Sequence, residues 1–385
     1  MHVFTPAQTA VRDKAAAATR ELSKIIIDID RQTGHSKEWW DGLHILENAG
    51  LLRLYIPTEK GGESADILSL VLAQEEVAKV DGGYSNIVSH EACAYAIFTN
   101  CQDEALRERA IKSMAEGSLT CIAITEPETG TDLAQMQTKA VPDGDGWIIS
   151  GHKRVASLAG AAGMYLVFAM TDPSQGTRGI SAFVVDAGTP GLSVGEVDDL
   201  MGFRQLPPAD VFFDNVRVSR SQLLGEEGGA FKLFAQALNL GRLGGGTQAL
   251  GIAQGAYEHA LAYAKKRHTF GKPLIQHQAI QFSLAEMATQ IEASRALIYQ
   301  VARWMDATND ITSRETATRC AMVKMQASDM AMKVTIDAVQ IFGAYGNYRE
   351  NHVERLMRDA KVTQLVDGPN ELMKMRIGHA LIREA

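Results

Sequence analysis

The sequence predicts an α+β protein in three parts: a helical N-terminal domain, a middle β-barrel or sandwich, and a C-terminal four-helix bundle. Three observations predict it. At 385 residues the chain exceeds one typical hydrophobic core. Apolar residues recur every three or four positions up to about residue 115, then give way to short β-like runs. From Phe231 the helical spacing returns, in segments long enough to lie side by side as a bundle. The expected parts are 1–117, 118–230 and 231–385.

In the first part, Trp39 to Leu52 and Ile67 to Val80 carry the helical spacing, separated by a turn-rich break from Tyr55-Ile56-Pro57 to Gly61-Gly62. In the second, the runs Thr120 to Ile124, Gly146 to Ser150, Met164 to Met170, Ile180 to Val185 and Ala209 to Phe213 read as strands. Clusters of Gly, Pro, Asp and Asn punctuate them. In the third, helices are expected over 231–267, 277–307, 312–342 and 351–363, with a last one from about 370.

Composition narrows the function. Hydrophobic content of 46% with 22% charged residues is that of an ordinary globular chain. A net charge of -8 argues against nucleic acid or an anionic membrane as the main partner. No apolar run approaches the roughly 20 residues of a membrane span. The N-terminus, Met1-His2-Val3-Phe4-Thr5-Pro6, lacks the basic and apolar regions of an export leader, so a cytoplasmic location is expected. Cys93, Cys101, Cys121 and Cys320 have neither metal-ligand spacing nor a disulfide framework, so reduced thiols and no metal site are expected.

Four short stretches carry candidate chemistry. Asp367 follows Gln364-Leu365-Val366 and precedes Gly368-Pro369, so a carboxylate is fixed on a turn beside apolar residues. Desolvation there would raise its pKa, as removal of a proton from carbon requires. Asp before Gly-Pro is equally ordinary turn and cap chemistry. The loop Ala123-Ile124-Thr125-Glu126-Pro127-Glu128-Thr129-Gly130-Thr131-Asp132 offers hydroxyls and a Gly to a planar or phosphorylated ligand, or is a solvated loop. Arg267-His268-Thr269-Phe270-Gly271, followed by His277-Gln278, suits a phosphate or a helix C-terminus. Gln340 to Gly346 breaks a helical pattern with close-set glycines, as a helix stop or a close approach to a ligand.

In this order and at these separations, together with Arg358-Asp359-Ala360-Lys361, the stretches resemble the acyl-CoA dehydrogenase family of flavoproteins over essentially the whole chain. The resemblance implies FAD as cofactor, lying between the β domain and the bundle. It places Ile124, Thr125, Gly130 and Thr131 at the isoalloxazine and pyrophosphate, and Ser157 near flavin N5. Arg267, Thr269, Phe270 and Gln278, with Gln340 and Gly343, would contact the adenine half of a neighbouring subunit's FAD, in a homotetramer built as a dimer of dimers. An Arg suits that diphosphate because its forked donors match phosphate oxygens.

The resemblance also implies an acyl-CoA substrate, an α-proton base, and electrons passed to an electron-transferring flavoprotein. Most members carry the base as Glu in Tyr-Glu-Gly-Thr; the matching residues here are Val366, Asp367, Gly368 and Pro369. A minority place it on a bundle helix before an Arg, a position filled here by Gly241 before Arg242. Asp367 is thus the one candidate at either position, shorter by one methylene, and misplacement by about 1 Å can cost a hundredfold in rate. Arg242 and Gly368 fall on the substrate side, with the backbone N–H of residue 367 implied at the thioester oxygen. A Trp commonly packs over the flavin edge where this chain has Val155, and Pro369 removes a hydroxyl usually offered to the cofactor. Glu91, the one carboxylate in Tyr84 to Phe98, would line the acyl pocket and could serve a 1,4-elimination on an alicyclic acyl-CoA, or pair with a nearby Lys or His at the surface. Two alternatives remain: a non-redox lyase or desulfinase on the same scaffold, separable by whether acyl-CoA bleaches the flavin, and a non-enzymatic flavin- or CoA-binding protein, which purification without FAD would favour.

Overall fold

The computed structural model describes residues 3–384; Met1 and His2, where the N-terminal expectation begins, lie outside the described residues, as does Ala385. Six helices come first among these residues: α1 (Pro6–Leu22), α2 (Ile26–Asp30), α3 (Lys37–Asn48), α4 (Ile67–Ala78), α5 (Gly82–Phe98) and α6 (Glu104–Ala115). Their starts follow capping chemistry. Thr5 closes a capping box with Gln8 ahead of Pro6, and Ser36, Asp66, Asp81 and Asp103 each accept an amide N–H from the following turn. α4 is buried almost all round, between α1 and α5 on one side and the C-terminal helices on the other.

The middle region is one mixed sheet of β1 (Thr120–Ala123), β2 (Lys139–Asp143), β3 (Gly146–Ser157), β4 (Met164–Met170), β5 (Ile180–Asp186), β6 (Leu192–Val197), β7 (Pro208–Ser219) and β8 (Leu223–Leu224). The order is β6-β7-β3-β2-β4-β5-β8, with β1 paired in parallel to β4. The five apolar runs expected as strands lie in β1, β3, β4, β5 and β7. β2 and β6 escaped that reading because little of them is apolar and buried, and β8 because it is only two residues long. β6 is an edge strand with no fully buried residue, and β2 ends in the Asp143–Gly146 hairpin, whose Gly144 takes φ 62°. Trp147, Ile149, Tyr165, Phe183, Val211 and Phe213 fill the sheet's core.

The C-terminal region contains α7 (Ala230–Lys266), a ribbon of β9 (His268–Thr269) and β10 (Lys272–Pro273), then α8 (Gln278–Thr308), α9 (Arg314–Phe342), α10 (Val353–Thr363) and α11 (Asn370–Glu384). α7 has 37 residues, so it runs about 55 Å. It packs along α9 on one face and along α4 and α5 on another, which makes it common to the first and third regions. Glycines permit both approaches. A Cβ at Gly246 would stand 2.5 Å from Val323 Cγ1, and one at Gly251 would stand 2.4 Å from the carbonyl oxygen of Glu75.

The Arg358-Asp359 motif ties the three regions together. Asp359 accepts the amide N–H of Phe203 (2.8 Å), from the loop before β7, and that of Gly82 (3.3 Å), at the start of α5. Arg355, one turn earlier on α10, donates to Asp81 (2.8 Å), and Arg358 donates to Asp30 (2.7 Å) and to the carbonyl of Met201 (2.6 Å). This buried network holds α10 rigidly, and α10 leads directly into the turn that carries Asp367.

Candidate active site

Between α10 and α11 the chain turns through Gln364–Pro369. Asp367 and Gly368 take φ 55° and 94°, the left-handed region that Gly enters freely and Asp tolerates. That turn lays the Asp367 carboxylate on a bare stretch of α7. A Cβ at Gly241 would lie 3.2 Å from Oδ1 and one at Gly245 would lie 3.4 Å from Oδ2. Gly241, the alternative base position, is therefore the floor beneath Asp367.

Two buried cations support the turn. Lys324 of α9 donates to the carbonyls of Gln364 (3.0 Å) and Gly368 (2.8 Å) and to Asn370 Oδ1 (2.9 Å). Arg242 of α7, only 2% exposed, donates through Nε to the carbonyl of Asp367 itself (3.4 Å). Among the described residues no protein group accepts the amide N–H of Asp367 or of Gly368, which leaves two donors beside the carboxylate.

Burial raises the pKa of Asp367, and the charges of Lys324 and Arg242 only partly oppose it. Burial lowers Lys324 to about 8 against the pull of Asp367, and lowers Arg242 to about 10, with Arg376 adding like-charge repulsion. Cys93 of α5 faces the same space, donating to the carbonyl of Ala237 (3.3 Å). Burial, then the charges of Asp367 and Glu91, push its thiol upward. Glu91 itself is 3% exposed, so the reading of it as a surface residue paired with Lys or His is corrected. Its carboxylate accepts the amide N–H of Thr120 (3.0 Å) and the Thr120 hydroxyl (3.1 and 3.2 Å), where α5 meets β1. Burial raises it to about 8 despite those bonds.

The loop from Ile124 to Thr131 rests on a second buried lysine. Lys153 donates to the carbonyl of Ile124 (2.9 Å) and to Glu126 (2.8 Å), whose other oxygen accepts the amide N–H of Gln137 (2.6 Å). The Thr125 carbonyl accepts the amide N–H of Arg154 (2.8 Å). Gly130 and Thr131 are exposed at the loop's tip. Just beyond Lys153 the β3–β7 ladder slips, and Val155 takes φ 57° with 56% of its surface exposed. A β-branched residue in that region is strained, and a bulge re-aims side chains. Ser157 ends the same strand, paired with Pro208 of β7.

Arg267, Thr269, Phe270, Gln278, Gln340 and Gly343 gather elsewhere, at the C-terminal end of α7. Arg267 lies over the ring of Tyr345 (5.7 Å) with no carboxylate partner among the described residues, and Thr269 bonds His277 (3.3 Å). Phe270, at φ 50°, is 96% exposed, and Gly343 has open space where a Cβ would stand. From Gly245 to Arg267 is 22 residues, about 33 Å of helix. The candidate residues thus fall into two separated groups. An unpaired guanidinium beside bare aromatic rings fits a dinucleotide's diphosphate and base, and a hydroxyl-bearing loop on a rigid strand fits a flavin ring, so the residues present fit FAD.

Two features went unread in the sequence. The buried lysines were one, although Lys324 shares a helix face with Cys320, Ala327 and Ser328, and Lys153 continues the inward alternation of Trp147 and Ile149. The other is a groove of about 850 Å³ between α9 and α11, lined by Arg314, Arg319, Arg376 and His379 with Met322 and Leu372.

Comparison with known proteins adds the following. The acyl-CoA dehydrogenase N-terminal, middle and C-terminal domain families match residues 5–118, 121–216 and 228–382. The chain is 40% identical over 371 residues to the short-chain-specific acyl-CoA dehydrogenase of Megasphaera elsdenii, covering 94% of each. It is 37% identical over 367 residues to the cyclohex-1-ene-1-carbonyl-CoA dehydrogenase of Syntrophus aciditrophicus, covering 95% of this chain and 87% of that one. A chain in a structure concerning the electron-transferring flavoprotein of Acidaminococcus fermentans superposes with a TM-score of 0.92 at 37% identity, over 100% of both.

Proposed function

The chain belongs to the acyl-CoA dehydrogenase family, and on that footing we propose that Asp367 removes the α-proton of an acyl-CoA thioester. The protein is an FAD-dependent oxidoreductase acting on acyl-CoA. No helix among the described residues is long and apolar enough to cross a membrane. When bound, the flavin supplies the acceptor for the β-hydride.

Ile124, Thr125, Gly130, Thr131 and Ser157 would hold the flavin end. Arg267, Thr269, Phe270, Gln278, Gln340 and Gly343 would hold the adenine end belonging to a neighbouring copy, in a homotetramer. The roughly 33 Å between Asp367's floor and Arg267 supports this division. The amide N–H groups of Asp367 and Gly368 receive the thioester oxygen, where donors stabilise the negative charge that develops as the proton leaves. Arg242 keeps that peptide in place. The cationic groove beside Arg376 suits the phosphates of the CoA tail. Electrons leave to an electron-transferring flavoprotein, in the cytoplasm.

The observation that carries this reading is a half-buried carboxylate, its pKa raised by burial, laid on bare helix beside two free amide donors. The shortness of Asp is offset by the glycine floor, which leaves room for a substrate to come closer. Asp367→Asn should lower flavin reduction by roughly 10²–10⁴-fold while FAD content and acyl-CoA binding persist. Asp367→Glu should also lower it, because the added methylene crowds the substrate. Near-normal reduction in Asp367→Asn would refute the assignment. A panel of linear, branched, alicyclic and aromatic acyl-CoAs, scored by anaerobic flavin bleaching, identifies the acyl group. The likeness to a cyclohex-1-ene-1-carbonyl-CoA dehydrogenase favours including the alicyclic class, with Glu91 as the second carboxylate.

A further inference from the structure

Lys324 has no exposed surface, and its ammonium makes three hydrogen bonds, which uses every proton it has. The three acceptors, Gln364, Gly368 and Asn370, bracket Asp367 in the chain on both sides. None is charged. Asn370 is itself fixed, its amide donating to Ser328 Oγ (2.9 Å) and Asp329 Oδ1 (2.8 Å). A buried ammonium given only neutral acceptors is an expensive way to brace a turn, because neutral donors would do so without desolvating a charge. What a cation adds is its field, and of the carboxylates that feel it, Asp367, Asp329 and Glu371, Asp367 interacts most strongly. The point where a Cβ on Gly245 would stand lies 3.4 Å from Asp367 Oδ2 and 3.8 Å from Lys324 Cγ.

We propose that Lys324 is a positioning residue for proton removal: it aims the Asp367 carboxylate and, through its charge, keeps that carboxylate ionised inside a desolvating pocket. This rests on Asp367 being the base. Arg242 adds a smaller charge effect of the same sign, but no other group around the carboxylate combines that charge with bonds on both sides of the turn. Arg242, from α7, spends its bond on the backbone carbonyl of Asp367, and Cys93, from α5, is a neutral thiol. Asp329 on α9 and Glu371 on α11 act on Lys324 and favour its charged form, while Arg242 opposes it. With a pKa lowered to about 8, chiefly by burial, Lys324 is charged at neutral pH.

The test is exchange of the α-protons of butyryl-CoA with D2O on FAD-loaded enzyme, followed by NMR across pH, which reads proton removal apart from hydride transfer. Lys324→Met should slow exchange about a hundredfold, the size of a misplacement near 1 Å, and move its acid limb to higher pH. Lys324→Gln should move the limb likewise, and serves if the Met variant does not fold. Lys324→Arg keeps the charge and should hold the limb at its wild-type position while lowering the plateau. Butyryl-CoA dissociation constants should stay within about threefold in all of them, since the bond rearrangement, and not docking, is affected. A neutral variant that slows exchange with the wild-type limb would overturn the proposal and leave Lys324 a mere strut. Exchange persisting in Asp367→Asn would overturn the base assignment, and this inference with it.

Discussion

Two turns of this molecule rest on buried lysines, and they are built differently. At the 124–126 loop, Lys153 meets a carboxylate: Glu126 takes its charge and two backbone amides besides. Burial alone would raise Glu126, but Lys153 and those hydrogen bonds outweigh it and hold the group below the ordinary carboxylate range. At the 364–370 turn, Lys324 meets only neutral oxygens, and the nearest carboxylate, Asp367, keeps a raised pKa. Both lysines are lowered to about 8 by burial. The first arrangement closes its electrostatics on itself and gives a rigid support for a ligand. The second leaves a carboxylate whose pKa burial raises, which rigidity alone does not require and proton transfer does.

The two lysines should therefore fail in opposite ways. Lys153→Met strands the buried Glu126 charge, and loss of one partner from such a pair costs about 3–5 kcal/mol. Chemical denaturation should read that loss, and adding Glu126→Gln, which removes the charge but keeps an acceptor, should recover most of it. Lys324→Met leaves carbonyls without donors and no stranded ion pair, so its stability cost should be smaller, about 1–3 kcal/mol. Its effect on proton removal should be the larger of the two. If Lys153→Met proved the milder for stability, the contrast between a closed pair and an open one would fail.

How much of this was legible in the sequence follows from what periodicity records. It reports which face of a helix or strand is apolar, so the long helices and the five well-buried strands were readable. The turn at Asp367 was readable because Pro369 restricts the backbone and Gly368 permits the positive φ a turn needs, whatever surrounds them. A charged residue on an inward face registers only as a lapse in the pattern. Lys324 and Lys153 were passed over for that reason, although both occupy core-facing positions. What they bind lies 40 and 27 residues away in the chain, at Gln364 and Glu126, and is set by tertiary packing. The stretch around Arg267 was legible as a motif and α7 as a long helix, while the distance between Arg267 and Asp367 emerged only once the turn was found lying on Gly241 and Gly245.

Asp367 gives a weaker test of the same contrast. Its pKa is raised on folding, so the native state holds the proton more tightly than the unfolded chain does. Stability is then lost as pH rises from the ordinary carboxylate value, about 3.9, through the native pKa. Asp367→Asn should be more stable than wild type at neutral pH, and the advantage should vanish in acid. Thermal melts at the two pH values read the difference. A destabilised Asp367→Asn at neutral pH would mean that Lys324 and Arg242 more than repay the burial of the carboxylate.

Glu91 extends the comparison to a buried carboxylate with no cation at all. Thr120 supplies its hydrogen bonds, and burial still raises it to about 8, so at neutral pH it is largely protonated and cannot take a second proton. If Glu91 assists a 1,4-elimination, turnover of an alicyclic acyl-CoA must climb as pH rises through about 8. Turnover of a linear one, which needs only Asp367, should show no step there. Glu91→Gln should abolish that step and leave linear substrates within about threefold, since the amide oxygen can still accept from Thr120. If Glu91 serves only to join α5 to β1, both substrates will share one profile and the variant will lower both alike. Stability carries the opposite sign: the wild type should lose it between pH 4.5 and about 8 as Glu91 ionises in the native state, and Glu91→Gln should not lose this share. A shared pH profile accompanied by that stability loss would establish that the carboxylate titrates as the structure requires yet takes no part in the chemistry.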